Sequence, residues 1–395
     1  MISKNKKIKI HFIGIGGIGM SGIAELMHKI GYTVLGSDNN ESENVKRLKS
    51  IGINVKIGHS KKNLQDVNAV VFSSAIKKNN PEILKAKKNN IPIVSRADML
   101  GELMKNKKCI AVAGSHGKTT TTSLVGNILE LGMLDPTIVN GGIINSLSKN
   151  NKFGKGEWMV VEADESDGSF LKLPHQISII TNLDIEHLDF YKTKKNLFSA
   201  FEQFIMNLPF YGIAIVNNDD KNLKKIVSKN RTRKIITYSR KNKYADIFID
   251  KIIFKKEHSI FNLKFNIPIQ NISGSHSYKI KAIGLHNVLN GTASIIAGLS
   301  AGVKNTYIKK ALSNYIGVKR RFSNLGNVNS SIIFDDYAHH PTEIAATLSG
   351  AKQINKNIIV VFQPHRYSRT KILFNEFIFV LSKIKKLYLL DTYSA

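Results

Sequence analysis

Two glycine-rich segments stand where a strand is followed by a helix, a position that can bind phosphate groups. In the first segment Gly14, Gly16 and Gly19 fit the spacing G-x-G-x-x-G, with Gly17 between them, and Asp38 ends the next strand. Glycine allows the tight turn and the close approach of a diphosphate to the helix N-terminus, and an acid at that point can accept a ribose hydroxyl. The pattern fits NAD, FAD or any nucleoside diphosphate, and it also fits glycines that only let a strand and a helix pack closely.

The second glycine-rich segment predicts a nucleoside triphosphate site with more specificity. It consists of Gly114, Ser115, His116, Gly117, Lys118, Thr119 and Thr120. In such a loop the backbone N–H groups bind phosphates, the lysine contacts the β and γ phosphates, and the threonine hydroxyl reaches Mg²⁺. Two residues separate these glycines instead of the four of the common P-loop. The shorter loop narrows the range of families that it fits.

Acidic residues and a histidine follow two later strands. Residues 162–167 read EADESD, directly after a predicted strand, and Glu162 is the best single candidate for a Mg²⁺ ligand because this cation prefers oxygen ligands. His187 lies in TNLDIEHLD, after the next strand. The sequence leaves two interpretations of His187 open, a metal or phosphate contact and a structural histidine.

Three further segments are rich in polar groups. Residues 286–290 read HNVLN at the start of a predicted helix, and their asparagines, Asn290 among them, either read an adenine edge or cap the helix; the spacing favours capping. Residues 335–343 read DDYAHHPTE, with a proline at the predicted first turn of a helix. RRF (320–322) contains Arg320 and Arg321, and the third segment, QPHRYSRT (363–370), contains Arg366 and Arg369, so four of the nine arginines in the chain lie in these motifs. An arginine of the first pair could reach a γ-phosphate, and the second pair, at i and i+3, could bind one carboxylate.

These residues need an α/β framework to position them. The pattern predicts a strand over 8–13, a helix over 20–30 and a strand over 32–36, followed by strands over 69–72 and 91–94. A second unit begins with a strand over 109–113 and continues with strands over 158–161, 177–181 and 212–216. Antiparallel strands are expected over 233–281 and a helix over 286–302. A third unit near residue 314 alternates strands over 331–334, 358–362 and 386–390 with helices from Thr342 and after Arg369.

Composition limits the class of protein. The chain has 395 residues, of which 42% are hydrophobic, so extensive disorder is not expected. Its single cysteine, Cys109, excludes a disulfide scaffold and a thiolate zinc site and fits a reducing cytoplasm. No apolar run reaches the ~18 residues of a membrane span. The net charge of +29 comes mostly from dispersed lysine, which we interpret as solvated surface rather than a nucleic-acid site.

Taken in order, the motifs resemble those of the Mur ligase family over essentially the whole chain. The stretches that carry the resemblance are GIGGIGMSGIAE, GSHGKTTT, EADESD, TNLDIEHLD, HNVLN, DDYAHHPTE and QPHRYSRT. The resemblance implies an α/β fold of three domains. These are a Rossmann-like UDP-binding domain (1–106), a central P-loop ATPase-like domain with added antiparallel strands (107–313) and a C-terminal Rossmann-like domain for the amino acid (314–395). The third domain is expected to be incomplete, because family members continue beyond the strand that ends here near Leu390.

The resemblance also implies roles for individual residues. The first glycine loop would hold UDP diphosphate, and the uridine end would contact Asp38, His59, Ser73 and Ser74. The second loop would bind ATP, with Thr119 and Glu162 on one Mg²⁺ and His187 on the second. Asn290 would face adenine, and Arg321 and Asp336, or their neighbours Arg320 and Asp335, would close on ATP. L-Alanine would be bound through its carboxylate by Arg366 and Arg369, with Tyr337 and His339 nearby.

The activity implied is ATP-dependent ligation of L-alanine to the lactyl carboxylate of UDP-N-acetylmuramate, a step of peptidoglycan precursor synthesis, through an acyl phosphate. Lys118, His187, Arg321, Asp336 and His339 are the expected catalytic residues. A recycling ligase that transfers a whole peptide is the nearest alternative, although the first motif favours L-alanine. A nicotinamide-dependent oxidoreductase leaves the second loop unexplained. The expected partners are the three substrates, with no nucleic acid or membrane insertion, in a monomer or a homodimer.

Overall fold

The chain forms two compact units. The computed structural model describes residues 8–73, 75–146, 149–229 and 232–394. The first unit comprises Met1–Thr122, Met133–Val216 and Asp220–Ile236, and the second comprises Ser123–Gly132, Asn217–Asp219 and Thr237–Ala395. No helix in the described part of the chain has the length and apolar character that a bilayer span requires.

A five-stranded parallel sheet opens the first unit. Its strands are β1 (Lys9–Ile13), β2 (Thr33–Asp38), β3 (Asn54–Ile57), β4 (Ala69–Phe72) and β5 (Ile93–Ser95), in the order β3-β2-β1-β4-β5. Its helices are α1 (Ile18–Ile30), α2 (Glu43–Ser50), α3 (Pro81–Lys88) and α4 (Arg96–Met104), with a 3-10 helix at Lys61–Asn63. The strand order reverses between β1 and β4, and ligands of such sheets bind at the carboxyl ends of the strands beside that reversal. The first glycine segment follows β1 at this point.

The second sheet of the first unit carries the second glycine segment. Its strands are β6 (Lys108–Ala113), β7 (Thr137–Ile144), β8 (Lys149–Lys152), β9 (Trp158–Glu162), β10 (Ile177–Ile180) and β11 (Ile213–Asn217). They lie in the order β11-β10-β6-β9-β7-β8, parallel except for β8. The next helices are α5 (Lys118–Leu131), α6 (Leu188–Tyr191), α7 (Lys194–Met206) and α8 (Lys221–Lys229), with a 3-10 helix at Ser169–Lys172. Since β10 and β9 flank β6, their carboxyl ends bring residues 181–187 and 162–165 beside the loop that follows β6.

The two sheets of the first unit share one hydrophobic core. Buried residues of α1 and α4, such as Met27 and Met104, belong to the same cluster as Cys109 of β6 and Phe201 of α7. Phe170 stacks on Phe204 with ring centroids 4.9 Å apart. Burying an aromatic side chain of this kind stabilises a fold by about 1.5–3 kcal/mol. The core therefore holds both glycine segments in one unit.

The second unit begins with strands that follow β12 (Lys234–Ser239). Three strands form an antiparallel meander: β13 (Ile247–Phe254), β14 (Ser259–Ile269) and β15 (Ile272–Ile280). Helices α9 (Leu285–Ser300) and α10 (Asn305–Ser313) follow. A Cβ on Gly298 of α9 would lie 2.5 Å from Ile128, so this glycine allows the close approach of α9 and the C-terminal part of α5. The antiparallel prediction is confirmed for β13–β15, but β12 pairs with β13 in parallel.

The rest of the second unit alternates strands and helices, as predicted. The elements are β16 (Ser323–Val328), β17 (Ser331–Asp335), α11 (Pro341–Ile354), β18 (Ile359–Phe362), α12 (Tyr367–Ile372), α13 (Phe374–Leu381) and β19 (Lys386–Leu389). Strands β18 and β19 are parallel, and β17 pairs with the unpredicted β16. Asn329 (φ 43°) and Ser330 (φ 65°) both have positive φ, and two such residues form the tight turn that a hairpin prefers. The helix expected after Arg369 begins earlier, at Tyr367.

Candidate functional site

Hydrogen bonds to the end of β2 hold the first glycine loop in place. The N–H groups of Gly14 and Ile15 both donate to the Ser37 carbonyl, at 2.8 and 3.0 Å. Gly14 has a φ of +74°, a backbone conformation that glycine adopts without strain. A Cβ on Gly16 would lie 2.8 Å from Val45, so the loop has no room there for a larger residue. Gly17 is the N-cap of α1, and Gly19 lies in its first turn.

Asp38 holds the glycine loop itself. Its Oδ2 accepts a hydrogen bond from the Gly16 N–H at 2.8 Å, and its Oδ1 accepts one from the Asn40 N–H at 3.2 Å. The sequence predicted a ribose contact for this carboxylate. Each carboxylate oxygen has a second lone pair, so the structural contact leaves acceptor capacity for a ribose hydroxyl.

The remaining residues expected at the uridine end lie at the same edge of the sheet. His59 follows β3, and its Nδ1 is 3.0 Å from the Ser37 hydroxyl. Ser73 follows β4, and its carbonyl accepts the Ile76 N–H at 3.0 Å. Ser74 lies outside the described residues. The structure adds Arg96, which sequence reasoning did not single out: its Nη1 lies 3.0 Å from the position that a Cβ on Gly19 would occupy. A guanidinium therefore stands beside the first turn of α1, where an anion would bind.

The second glycine loop is clamped by the residues that follow β10. The Ser115 N–H donates to the Asn182 carbonyl at 3.1 Å, and the His116 N–H donates to the Asn182 side-chain oxygen at 2.8 Å. Gly114 has a φ of +129°, and a Cβ there would lie 2.2 Å from the Thr181 hydroxyl. The His116 Nε2 lies 2.9 Å from an oxygen of Asp184. Hydrogen bonds within the protein therefore fix the loop at Ser115 and His116.

Lys118 lies at the start of α5 with 14% of its side chain exposed, and acceptors of three residues hold it. Its Nζ donates to the Gly114 carbonyl at 2.6 Å, to the Ser115 carbonyl at 3.2 Å and to Glu165 at 2.9 Å. Burial would lower the pKa of Lys118, but the carboxylates of Glu165 and Asp164 outweigh it and keep that pKa above its ordinary value. The ammonium group is thus fully charged and lies within the loop that is expected to bind phosphates.

Glu165 is the site residue that sequence reasoning missed most clearly. Its side chain is 2% exposed, and burial raises its pKa to about 7. Its carboxylate lies 3.8 Å from the His187 Nε2, and Glu165, Glu186 and His187 bring ligand atoms within 4.8 Å of one another. His187 itself has a φ of +56°, an unusual conformation for a residue with a Cβ. The only available signal was the position of Glu165 within the acidic stretch after β9.

The pair predicted to bind one Mg²⁺ is brought together. The Thr119 hydroxyl donates to the Glu162 Oε1 at 3.2 Å, and the Gly141 N–H donates to the Glu162 Oε2 at 2.7 Å. A hydroxyl and a carboxylate are the oxygen donors that Mg²⁺ prefers, so these residues fit that ion. His187 stands with two further carboxylates, as described above.

The catalytic residues expected in the second unit surround Glu343. The His339 N–H donates to the Glu343 Oε2 at 3.0 Å, and the Arg321 Nη1 is 3.7 Å from its Oε1. The Arg321 guanidinium lies 5.8 Å from the centre of the Tyr337 ring, within reach of a cation–π contact. Burial raises the pKa of Asp336, whose Oδ2 accepts the Phe322 N–H at 3.0 Å.

The two arginines expected to bind the amino-acid carboxylate lie where β18 ends and α12 begins. Arg366 is the N-cap of α12 with a φ of 68°, and its N–H donates to the Tyr393 carbonyl at 2.8 Å. The Arg369 Nη1 lies 3.4 Å from the His365 carbonyl. The His365 and Tyr393 rings stack with centroids 5.6 Å apart. These contacts place both arginines on one short segment of the second unit.

The capping interpretation of Asn290 is wrong. The helix α9 begins at Leu285 after Gly284, whose φ is 95°, so Asn290 lies in the buried interior of the helix. Its backbone carbonyl accepts the Ser294 hydroxyl at 2.8 Å. Adenine recognition is the interpretation that stays open for this side chain.

Comparison with protein-family models covers almost the whole chain. Residues 9–108 match the model of the Mur ligase family catalytic domain, 112–298 that of the Mur ligase middle domain, and 320–394 that of the Mur ligase glutamate ligase domain. The chain belongs to the Mur ligase family. Its fold is accordingly the three-domain α/β architecture of that family, as the sequence predicted.

Individual Mur ligases show similar agreement. The UDP-N-acetylmuramate–L-alanine ligase of Gluconobacter oxydans is 46% identical over 388 residues, which is 98% of this chain and 81% of that protein. The enzyme of the same name from Rickettsia prowazekii is 47% identical, over 98% of this chain and 79% of its own. Among solved structures, the UDP-N-acetylmuramate-alanine ligase of Thermotoga maritima superposes with a TM-score of 0.81 at 30% identity, covering 97% of this chain and 90% of its own. A murein peptide ligase from Psychrobacter arcticus superposes with a TM-score of 0.78 at 25% identity, over 98% of this chain and 91% of its own.

Proposed function

We propose that this Mur ligase joins L-alanine to the lactyl carboxylate of UDP-N-acetylmuramate, with hydrolysis of ATP to ADP and phosphate. The observation that carries the proposal is the 46% identity, over 98% of the chain, to a UDP-N-acetylmuramate–L-alanine ligase. The geometry supports it, since the first unit contains both a glycine loop suited to a diphosphate and a second loop with a buried lysine. The product, UDP-N-acetylmuramoyl-L-alanine, is a peptidoglycan precursor, and use of ATP fits an enzyme of the cytoplasm.

The reaction needs an activated carboxylate, because a free carboxylate does not acylate an amine. The lactyl carboxylate attacks the γ-phosphate of ATP, ADP leaves, and the acyl phosphate forms. Lys118 supplies a fixed positive charge for the phosphoryl group during this step. The amino group of L-alanine then attacks the acyl carbon, and the tetrahedral intermediate collapses to the amide and phosphate. The enzyme acts by positioning and charge, and it needs no covalent intermediate of its own.

Mg²⁺ fits the oxygen donors of the site. Thr119 and Glu162 would hold one ion, and His187 with Glu165 would hold a second. When bound, the ions neutralise charge that develops on the transferring phosphoryl group. Glu165 then has two roles in this proposal: both of its carboxylate oxygens lie 2.9 Å from the Lys118 Nζ, and Oε1 also lies 3.8 Å from the His187 Nε2.

The residues of the second unit complete the proposed reaction. Arg321 and Asp336 contact ATP, and Asn290 faces the adenine. Arg366 and Arg369 bind the carboxylate of L-alanine, beside Tyr337 and His339. Burial lowers the pKa of His339, so this histidine is neutral at physiological pH and is suited to accept a hydrogen bond from the incoming amino group.

Phosphate release is the direct test. The protein is mixed with ATP, Mg²⁺ and UDP-N-acetylmuramate. The possible acceptors are then added one at a time: L-alanine, glycine, L-serine and a tripeptide. We expect release that depends on both the UDP-sugar and L-alanine. A preference for the tripeptide would instead support the second candidate, a peptide-recycling ligase. The similarity to the Psychrobacter arcticus murein peptide ligase is the observation that favours this candidate. Release stimulated by nucleic acid, or tight NADH binding without UDP-sugar binding, would overturn the proposal.

A further inference from the structure

A fully buried carboxylate lies behind the first glycine loop and has no role in the function proposed above. Glu82 is the second residue of α3, and its side chain is 0% exposed. An ionised carboxylate in such a position is costly unless hydrogen bonds satisfy it. Its partners therefore indicate what it does.

Four donors point at the two oxygens of Glu82. Oε1 accepts the Ser60 N–H at 3.0 Å and the Asn63 side-chain amide at 2.6 Å. Oε2 accepts the Ser37 hydroxyl at 2.7 Å and lies 3.1 Å from the His11 Nε2. Burial would raise the pKa of Glu82, but the hydrogen bonds from His11, Ser37 and Asn63 outweigh it and keep that pKa below its ordinary value. Glu82 is thus ionised at neutral pH and acts only as an acceptor.

An acceptor at this point fixes the direction of the next hydrogen bond. Ser37 has one hydroxyl proton, and that proton is donated to Glu82. The Ser37 oxygen, 3.0 Å from the His59 Nδ1, can therefore only accept from that nitrogen. In a neutral imidazole with the proton on Nδ1, Nε2 carries a lone pair. His59 consequently offers a hydrogen-bond acceptor at the carboxyl edge of the sheet, with 12% of its side chain exposed.

The same serine also holds the glycine loop. Its carbonyl accepts the N–H groups of Gly14 and Ile15, at 2.8 and 3.0 Å. Ser37 therefore links Glu82 to two parts of the expected ligand site. Its side chain contacts His59, and its backbone carbonyl binds the glycine loop.

We propose that Glu82 is a positioning residue of the uridine diphosphate site, which acts through Ser37 to hold His59 in the Nδ1–H tautomer. In this form the His59 Nε2 accepts a hydrogen bond from an N–H or O–H donor of the bound nucleoside. The inference rests on the proposed function, because it takes the first glycine loop as the UDP site. Glu82 cannot touch the ligand itself, since it is fully buried.

The variant Glu82→Gln tests the direction of this chain of hydrogen bonds. The Ser60 and Asn63 donors keep the glutamine carbonyl on the Oε1 side, so the glutamine NH₂ group faces Ser37. Ser37 then accepts from Gln and donates to His59, whose proton moves to Nε2. A donor would now face the donor of the ligand, and the Kd for UDP should rise by about tenfold or more. The KM values for ATP and L-alanine and the kcat at saturating UDP-sugar should stay within about twofold.

Three measurements on the full chain decide the outcome. Calorimetry with UDP gives the Kd, steady-state phosphate release gives the KM values, and long-range ¹H–¹⁵N spectra of histidine-labelled protein give the His59 tautomer, assigned with His59→Gln. Glu102→Gln is the matched control, because Glu102 is on α4 of the same unit, is 59% exposed and pairs with Lys105. This control should change none of the three.

The possible results separate the proposal from a merely structural role. A shift of all KM values and kcat together in Glu82→Gln, or an unchanged Kd for UDP with the Nδ1–H tautomer retained, would overturn it. If Glu82→Gln does not fold, Ser37→Ala decides: it removes the acceptor of His59 but leaves three donors on Glu82, and an unchanged Kd for UDP would then overturn the proposal. Wild-type protein that binds UDP but turns over no UDP-N-acetylmuramate would instead contradict the proposed function.

Discussion

Replacing Lys118 by methionine tests the second glycine loop, because it keeps the length of the side chain and removes its charge. Lys118 is 14% exposed and Glu165 is 2% exposed, with their charged atoms 2.9 Å apart. Removing one partner of a buried pair costs about 3–5 kcal/mol, since the other charge stays buried. Burial already raises the pKa of Glu165 to about 7, so this carboxyl group can take up a proton at neutral pH. We therefore expect the lower end of that range.

The cost of about 3 kcal/mol corresponds to a decrease of about 10 °C in the Tm of the first unit. Phosphate release should fall by about 10²–10³-fold or more, as when one preorganised group that stabilises developing charge is removed. Binding of UDP should persist, because the acceptors of the Lys118 Nζ, on Gly114, Ser115 and Glu165, all lie outside the first glycine loop. Differential scanning calorimetry, the phosphate assay and calorimetric titration with UDP measure the three effects.

The double variant Lys118→Met with Glu165→Gln separates stability from catalysis. With both charges removed, the Tm should recover by more than half, while phosphate release stays as low as in Lys118→Met. Lys108→Met is the matched control, because Lys108 begins β6 and pairs with Glu157 at 58% and 77% exposure; an exposed pair contributes about 0–1 kcal/mol. Near-normal turnover in Lys118→Met would refute the assignment of the loop. A double variant no more stable than Lys118→Met would refute the charge argument.

Three further variants test other parts of the first unit. Gly114→Ala should lower the Tm and the turnover more than Gly31→Ala. Both glycines have positive φ, +129° and +108°, but only the Cβ at 114 would meet another atom, 2.2 Å away. Equal losses in the two variants would show that this clash has no effect. Glu162→Gln should raise the Mg²⁺ concentration for half-maximal turnover, and an unchanged value would remove it as a ligand. Burial would raise the pKa of Glu25, but Lys29 and Arg47 outweigh it and keep that pKa low. The ionised carboxylate stabilises the fold above the ordinary pKa, and this contribution is lost as the pH falls through the lowered one. The Tm of Glu25→Gln should therefore decrease less than that of the unsubstituted protein as the pH is lowered from the ordinary pKa of 4.5.

Local patterns were sufficient to predict most of the framework. The strand β4 lies at Ala69–Phe72 and β17 begins at Ser331, as expected, and each glycine segment stands between a strand and a helix. Alternation of apolar residues and glycine spacing are properties of short stretches, and they determine where strands end. The resemblance assigned Thr119 and Glu162 to one ion, and their positions fit it: Glu162 ends β9, and Thr119 is the second residue of the helix that follows the neighbouring strand β6.

Residues that act through burial could not be predicted in this way. Glu165 lies 47 positions from Lys118 and Glu82 lies 71 positions from His11 in the sequence. In a chain with 58 basic and 29 acidic residues, either carboxylate fits an exposed surface equally well. Only the packed structure shows that both are fully enclosed and which donors reach them.

The error at Asn290 has a different cause. The helix was expected over 286–302, and α9 begins at Leu285, so its start was located to within one residue. Asn290 lies five positions after that start, and only the residue that directly precedes a helix can cap it. The unpredicted hairpin of β16 and β17 depends on two positive φ values, at Asn329 and Ser330, which no apolar pattern reveals.

The two glycine loops are held by the same device, and this limits where an anion can bind in the first one. In each, residues at or just beyond the end of the neighbouring parallel strand bind the N–H groups at the start of the loop: Ser37 and Asp38 at the end of β2 for the first, and Asn182 after β10 for the second. The N–H groups of Gly14, Ile15 and Gly16 are thereby used within the protein. The N–H groups of the first turn of an α-helix have no partner within the helix, and Gly19 lies in that turn of α1. Since the Arg96 guanidinium stands against Gly19, the diphosphate is expected at this turn rather than at the earlier glycines.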